Sequence, residues 1–202
     1  MAGRPREPLE YSHMNAHFDL LAPFYDRLVA PPDLAHWRDL LQLPTAGWLL
    51  DAGGGTGRVS AQLAPLVGAV ILSDMSRPML HQASQKETLW PVQANVIRLP
   101  FPNNSFERVL VVDALHHFRD ASRAIDELLR VLKPGGRLVI EEPDIERWVV
   151  KGVALVERLM LMQSRFYAAS DIQQMVIEHD QTASIVRTGG LSVWVVVEKE
   201  WR

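Results

Sequence analysis

Asp113, His116 and His117 stand close together in "VVDALHHF", directly after an apolar run. A carboxylate and two imidazoles at the end of a strand are groups that hold or move protons, and an unperturbed imidazole does so near neutrality. All three are candidates for a general base, with His117 first and Asp113 beside it. One of two adjacent histidines reads as only a buried hydrogen-bonding group. The pair makes a poor metal site, because adjacent imidazoles rarely converge on one ion and no Asp or Glu cluster completes a shell. No metal is expected.

A second constellation lies upstream. "WLLDAGGGTGRVS", Trp48 to Ser60, leaves the backbone bare at Gly53, Gly54, Gly55 and Gly57, after an apolar run that ends in Asp51. Without β-carbons the chain turns tightly, and a ligand can lie against the amides at the start of the next helix. An ordinary strand-to-helix turn is the plainer reading, but turns rarely need four glycines. The dinucleotide pattern G-x-G-x-x-G does not fit: counted from Gly53 its third glycine falls on Arg58, and counted from Gly54 its second falls on Thr56. No Gly-Lys-Ser or Gly-Lys-Thr occurs, so a P-loop is absent too. The next strand, "AVILSD", ends on Asp74, whose carboxylate can accept both hydroxyls of a ribose. The alternative is that Asp74 caps the helix opening at Ser76 and Pro78. Glycine loop and carboxylate together point to a nucleoside.

These residues need rigid elements to hold them. Short apolar runs at Trp48 to Leu50, Val70 to Leu72, Val92 to Ala94, Val109 to Val112 and Leu138 to Ile140 read as strands. Helical periods at Arg58 to Leu66, Ser76 to Gln85 and Ala121 to Leu132 separate them, and short helices are expected between Asn15 and Leu43. That alternation predicts α/β architecture: a doubly wound, Rossmann-like, mostly parallel seven-stranded sheet covered on both faces. "TASIVRTGGLSVWVVVEKE" closes it as an antiparallel hairpin turning at Gly189 and Gly190. Its second run is apolar at nearly every position and belongs inside the sheet, with the first at the edge. "KPGG", Lys133 to Gly136, reads as a helix stop and tight turn.

The 202 residues, 48% of them hydrophobic, suffice for one core and one domain. Within it the expected parts are amino-terminal cap helices over 1–45, a cofactor-binding core over 46–142, a helical substrate wall over 143–180 and the hairpin over 181–202. The formal charge of -3, without a Lys or Arg run, argues against nucleic acid or an anionic membrane and for a small-molecule substrate. There is no cysteine, hence no thiol chemistry. No signal-peptide pattern or membrane span is evident, so a cytoplasmic monomer or homodimer is expected.

"LLDAGGGTGR", the acidic end of "VILSDMSRPML", "IRLPFPNNSFERVLVVDALHHF" and "LLRVLKPGGRLVIEEPD" together resemble the successive motifs of class I S-adenosylmethionine-dependent methyltransferases, closest to the ubiquinone and menaquinone C-methyltransferase group. The resemblance runs from about Asn15 to Glu142. It implies S-adenosyl-L-methionine as cofactor, with its methionine part held by Asp51, Ala52 and the amides around Gly53, Gly55 and Gly57. It places the ribose on Asp74 and the adenine against Met75, with Asn95 and Val96 beside it and Asp113 also at the cofactor. Where the family has an Asp for the adenine amine, this chain has Asn95, an uncharged acceptor; Val96 and Ile97 are also more apolar than the norm. Tyr25 in "FYD" resembles a family tyrosine that closes over the cofactor carboxylate, and a plain core aromatic is the other reading.

A sulfonium methyl is already activated, so methyl transfer mainly needs alignment in a dry pocket. A base matters only where the nucleophile must first lose a proton. The apolar stretch from Trp148 to Tyr167, with Met160, Met162 and Phe166, would wall a hydrophobic or aromatic acceptor, or else pack on the sheet and a partner subunit. Two further classes compete: a non-catalytic cofactor-binding or regulatory module, and a nicotinamide-dependent oxidoreductase.

Overall fold

The computed structural model describes residues 22, 26, 32–147 and 165–201. Helix α1 spans Leu34–Leu41, begins at the Asp33 cap and buries Trp37, Leu40 and Leu41. Strand β1 is Trp48–Ala52. Helix α2, Ser60–Leu63, is shorter than the sequence pattern predicts and passes into a 3-10 turn over Ala64–Leu66, where Pro65 sits in the first turn. Strand β2 is Ala69–Asp74 and helix α3 is Arg77–Ala83. Strand β3, Leu89–Gln93, starts earlier than expected; Trp90 and Pro91 look like a break in sequence, yet β3 is an edge strand, where a proline is tolerated. Strand β4 is Phe106–Val112, followed by a 3-10 turn at Leu115–His117. Helix α4, Ala121–Val131, runs directly into β5, Leu132–Pro143. Helix α5 is Ala169–Glu178, and the hairpin is β6, Ala183–Arg187, with β7, Ser192–Glu198.

The seven strands lie in the order β3-β2-β1-β4-β5-β7-β6. β1 to β5 are parallel, and β7 runs antiparallel between β5 and β6. As the apolar pattern requires, β7 is interior and β6 is the edge. Both faces are covered: Leu50, Val109 and Val111 pack with α4 and α5, while Leu49, Val70 and Leu110 pack with α1 and α2. The "KPGG" turn is absorbed into β5 as an irregularity, since the register with β4 shifts between Phe106 and Arg108. Lys199 secures this junction by donating to the Leu129 and Leu132 carbonyls at the end of α4. Within the stretch expected as a substrate wall, α5 buries Ala169, Ile172 and Val176 against the sheet. Residues 148–164 lie outside the described set. Among the described residues no helix is long and apolar enough to cross a membrane.

Strand order reverses between β1 and β4. In an open α/β sheet, ligands settle in the crevice at the carboxyl ends of the strands flanking such a switch.

Candidate active site

A cleft opens at that point. Asp51, Gly53 and Gly55 reach it from the end of β1, Asp74 and Met75 from β2, Asn95 and Val96 from the segment after β3, and Asp113 and His117 from the segment after β4. Nine of the residues singled out in the sequence thus line one space. Two described ones do not. Ala52 is fully buried in the core. A β-carbon on Gly57 would lie 2.2 Å from Leu89 Cδ1 and 2.9 Å from Leu72 Cδ1, so this glycine lets the loop press onto the sheet. Tyr25 lies outside the described residues.

Asp74 is held from two sides. Its Oδ2 accepts from the Gly55 amide at 2.9 Å and its Oδ1 accepts from the Ser76 amide at 2.8 Å. The helix cap is Ser76 itself, whose Oγ accepts from the Met79 amide, so the capping alternative for Asp74 is answered by its neighbour. A carboxylate has about four lone-pair sites, so it can hold backbone amides and still accept from a ligand in the cleft it lines. Gly55, at φ +56, turns its missing β-carbon toward open space, with only Met79 Sδ within reach at 3.9 Å.

Asp51 is 2% exposed, and among the described residues its Oδ1 has no hydrogen-bond partner. Burial pushes its carboxyl up to about 7; the Ser60 hydroxyl beside it opposes this, the Asp74 charge adds to it, and the Lys86 and Arg58 charges oppose it. Arg58, the residue that breaks the dinucleotide pattern, lines the cleft, and its charge acts on Asp113 as well. Beside it Thr56 donates its hydroxyl to Asp26 at 2.5 Å, and Lys86 donates to both Asp26 and the Thr56 carbonyl. Asn95 spends one lone pair within its own turn, accepting from the Ile97 amide at 3.1 Å.

At the other end, Asp113 adopts φ +49, a left-handed conformation that Asp tolerates better than most residues. Burial raises its pKa, with Glu142 adding to the effect. His116 is buried and shares a 2.6 Å hydrogen bond through Nδ1 with Glu142 Oε2, while Glu142 Oε1 accepts from the Leu115 amide at 2.8 Å. The His116 ring lies 3.9 Å from His117 and stacks on Phe166 at 4.7 Å. Glu142 therefore grips the 3-10 turn by backbone and side chain, and the turn presents His117 to the cleft. The near-neutral titration expected of His117 is corrected here: burial, then the His116 charge, lower its pKa to about 3. Its imidazole is neutral over the whole ordinary range. The Glu142 pairing carried no local signal. Among the described residues no group of three metal-ligating side chains converges.

A seven-stranded sheet with this order, a glycine loop after β1 and an acidic end to β2 defines the Rossmann-like class of nucleoside-dependent transferases. Residues 50–140 match the family model of the methyltransferase domain. A demethylmenaquinone methyltransferase from Lactiplantibacillus plantarum is 32% identical over 201 residues, covering 86% of this chain and 85% of that protein. The ubiquinone/menaquinone biosynthesis C-methyltransferase UbiE of Vibrio cholerae is 38% identical over 104 residues, 46% of this chain and 40% of that protein, so this match spans less than half of the relative. The crystal structure of an S-adenosylmethionine-dependent methyltransferase from Thermotoga maritima superposes with a TM-score of 0.76 at 20% identity, covering 93% of this chain and all of that one, a likeness in fold. The chain belongs to the S-adenosylmethionine-dependent methyltransferases, enzymes that here methylate a small molecule.

The residues present fit that cofactor. An unpartnered buried carboxylate oxygen costs about 1–3 kcal/mol, and Asp51 Oδ1 is such an atom beside a glycine loop with room for a ligand. A cationic amino group of the cofactor would satisfy it.

Proposed function

We propose that this enzyme methylates a cyclic phenol-like or enol-like acceptor, with Asp74 and Asp51 dividing the cofactor between them and His117 facing the acceptor. The observation that carries the reading is the pair of carboxylates flanking one glycine loop, one of them half-buried in the cleft lining and the other buried with one oxygen that has no hydrogen-bond partner among the described residues. Asp74 takes the ribose, and Asp51 with Gly53 and Gly55 takes the methionine part. Met75, Asn95 and Val96 flank the adenine. S-adenosylmethionine brings an electrophilic methyl group on a sulfonium. Asp113 and His117 close the cleft where a nucleophile must enter. The relatives named for demethylmenaquinone and for quinone C-methylation support a ring bearing hydroxyls as the acceptor.

His117 acts in this reading as a neutral acceptor that orients a hydroxyl. A well-matched base contributes roughly 10²–10⁴ in rate, but a pKa of about 3 is too low for that match at neutral pH. One oriented hydrogen bond, worth about 0.5–1.5 kcal/mol, gives on the order of a tenfold effect. His117→Ala should thus lower kcat by about tenfold with S-adenosylmethionine affinity nearly unchanged. The test is mass spectrometry of hydroquinones, phenols and amines after incubation with isotopically labelled cofactor. A labelled phenol or hydroquinone is expected. Labelling of amines alone, or of nothing while cofactor binds, defeats the acceptor class.

A further inference from the structure

A second cavity adjoins the cleft, and the two share Ile97 and Arg119 in their walls. Arg119, Arg123 and Arg165 line it together with Tyr167, and Asp120 is the one carboxylate in its lining. Asp120 is engaged at the start of α4, where its Oδ1 accepts from the Arg123 amide at 3.0 Å. Four other arginines meet carboxylates: Arg130 pairs with Glu127, Arg137 with Glu198, Arg147 with Asp144, and Arg187 with Asp144 and Glu146; Arg77 and Arg108 instead donate to an amide and to backbone carbonyls. Among the described residues none of the three cavity arginines forms an ion pair with a carboxylate.

Their placement relative to His117 is fixed by the same turn. Arg119 follows His117 by two residues, and Arg123 stands in the first turn of the helix that begins next. The Arg165 amide donates to the His116 carbonyl at 2.8 Å, which ties the far wall of the cavity to the turn that presents His117. All three arginines are solvent-exposed; Arg123 also feels the Glu127 charge, and Asp120 is the one carboxylate in the lining, so the rim of this cavity carries an excess of positive charge next to the cleft. Guanidinium matches a carboxylate bidentately, and this geometry selects planar oxyanions over neutral groups.

We propose that this cavity is the acceptor's anion subsite: the substrate is a hydroxylated ring or enol carrying a carboxylate, which sits among Arg119, Arg123 and Arg165 while its hydroxyl reaches His117. The inference rests on the methyltransferase reading of the cleft and narrows its acceptor. The carboxylate end sets the orientation and the ring spans the Ile97 and Arg119 boundary.

The test is calorimetric titration of the whole chain with 4-hydroxybenzoate and with its uncharged methyl ester, each after saturation with S-adenosylhomocysteine. The acid should bind at least about tenfold more tightly than the ester, and the preference should shrink as salt screens exposed charges. Arg123 and Arg165 do not line the cleft, so the double variant Arg123→Gln, Arg165→Gln should keep its S-adenosylhomocysteine affinity and lose most of the preference for the acid. Equal affinity for acid and ester, binding of neither, or a preference that survives in the double variant overturns the anion subsite. Failure of S-adenosylhomocysteine to bind wild type would instead overturn the reading of the cleft.

Discussion

At Asp74 both carboxylate oxygens already hold backbone amides, so truncating the side chain should loosen the glycine loop and, in the proposed ribose role, remove a ligand contact as well. Hydrogen bonds to a charged group are worth about 1.5–3 kcal/mol each. Asp74→Ala should weaken S-adenosylmethionine and S-adenosylhomocysteine alike, by at least about tenfold, and lower the melting temperature. Asp74→Asn should cost less, because one oxygen still accepts. Calorimetry and melting on the three proteins check this, and unchanged affinity in the Ala variant removes the ribose role. Two glycines separate binding from packing in the same way. Gly55→Ala places its methyl in open cleft at a backbone cost of about 1–2 kcal/mol, so it should fold and bind cofactor at least about tenfold more weakly. Gly57→Ala forces a methyl against Leu89 and Leu72 and adds about 1–3 kcal/mol of overpacking. It should melt lower than Gly55→Ala yet bind more tightly, as paired melting and binding measurements would show.

The 3-10 turn after β4 is the element on which the acceptor side depends. Glu142, on β5, holds it through the Leu115 amide and the His116 ring, and Phe166 covers that ring from outside. Removing the carboxylate outright leaves two buried donors unsatisfied, at about 1–3 kcal/mol each, so Glu142→Ala tests folding more than catalysis. Glu142→Gln keeps an acceptor for the Leu115 amide and weakens the His116 bond. It should lower kcat while leaving cofactor affinity and the urea midpoint close to wild type. If kcat and KM are both unchanged, the pairing does not position His117. The end of β5 thus serves the site although it contributes no side chain to the cleft lining.

Across the whole molecule, pH dependence follows from two buried carboxyls held high. Burial raises Asp51 to about 7, and burial with the Asp113 charge raises Glu141 to about 7. Unfolded carboxyls titrate near about 4, so between about 4 and about 7 the folded state binds more protons than the unfolded one. Stability of the cofactor-free protein is therefore fullest below about pH 4 as far as these groups decide it, and falls as pH rises through about 7. A cation bound beside Asp51 favours its ionised form. S-adenosylmethionine binding should release protons at about pH 6 and release few above about pH 8. Calorimetry in two buffers of different ionisation enthalpy measures this, and Asp51→Asn should remove most of the release. A buffer-independent enthalpy at about pH 6 would separate Asp51 from the cofactor charge.

Periodicity and local chemistry determined much of this protein from sequence alone. Continuous apolar runs predicted the parallel strands, the apolar second run of the hairpin placed β7 inside and β6 at the edge, and glycines after a strand with an acid ending the next marked the cleft. These signals are legible because each lies within one element and its turn. β3 was misplaced because an edge strand tolerates a Trp-Pro break that a central one does not. Gly57 and Ala52 share the loop's sequence but face the core, a matter of orientation that spacing does not report. Only the tertiary structure decided what joins distant residues: Glu142 to His116 across 26 positions, Asp26 to Thr56 across 30, and Arg165 to the turn before Arg119. It also decided protonation, since an imidazole's pKa depends on the water left around it, and the packing that encloses His117 is assembled from β4, β5 and the segment carrying Phe166.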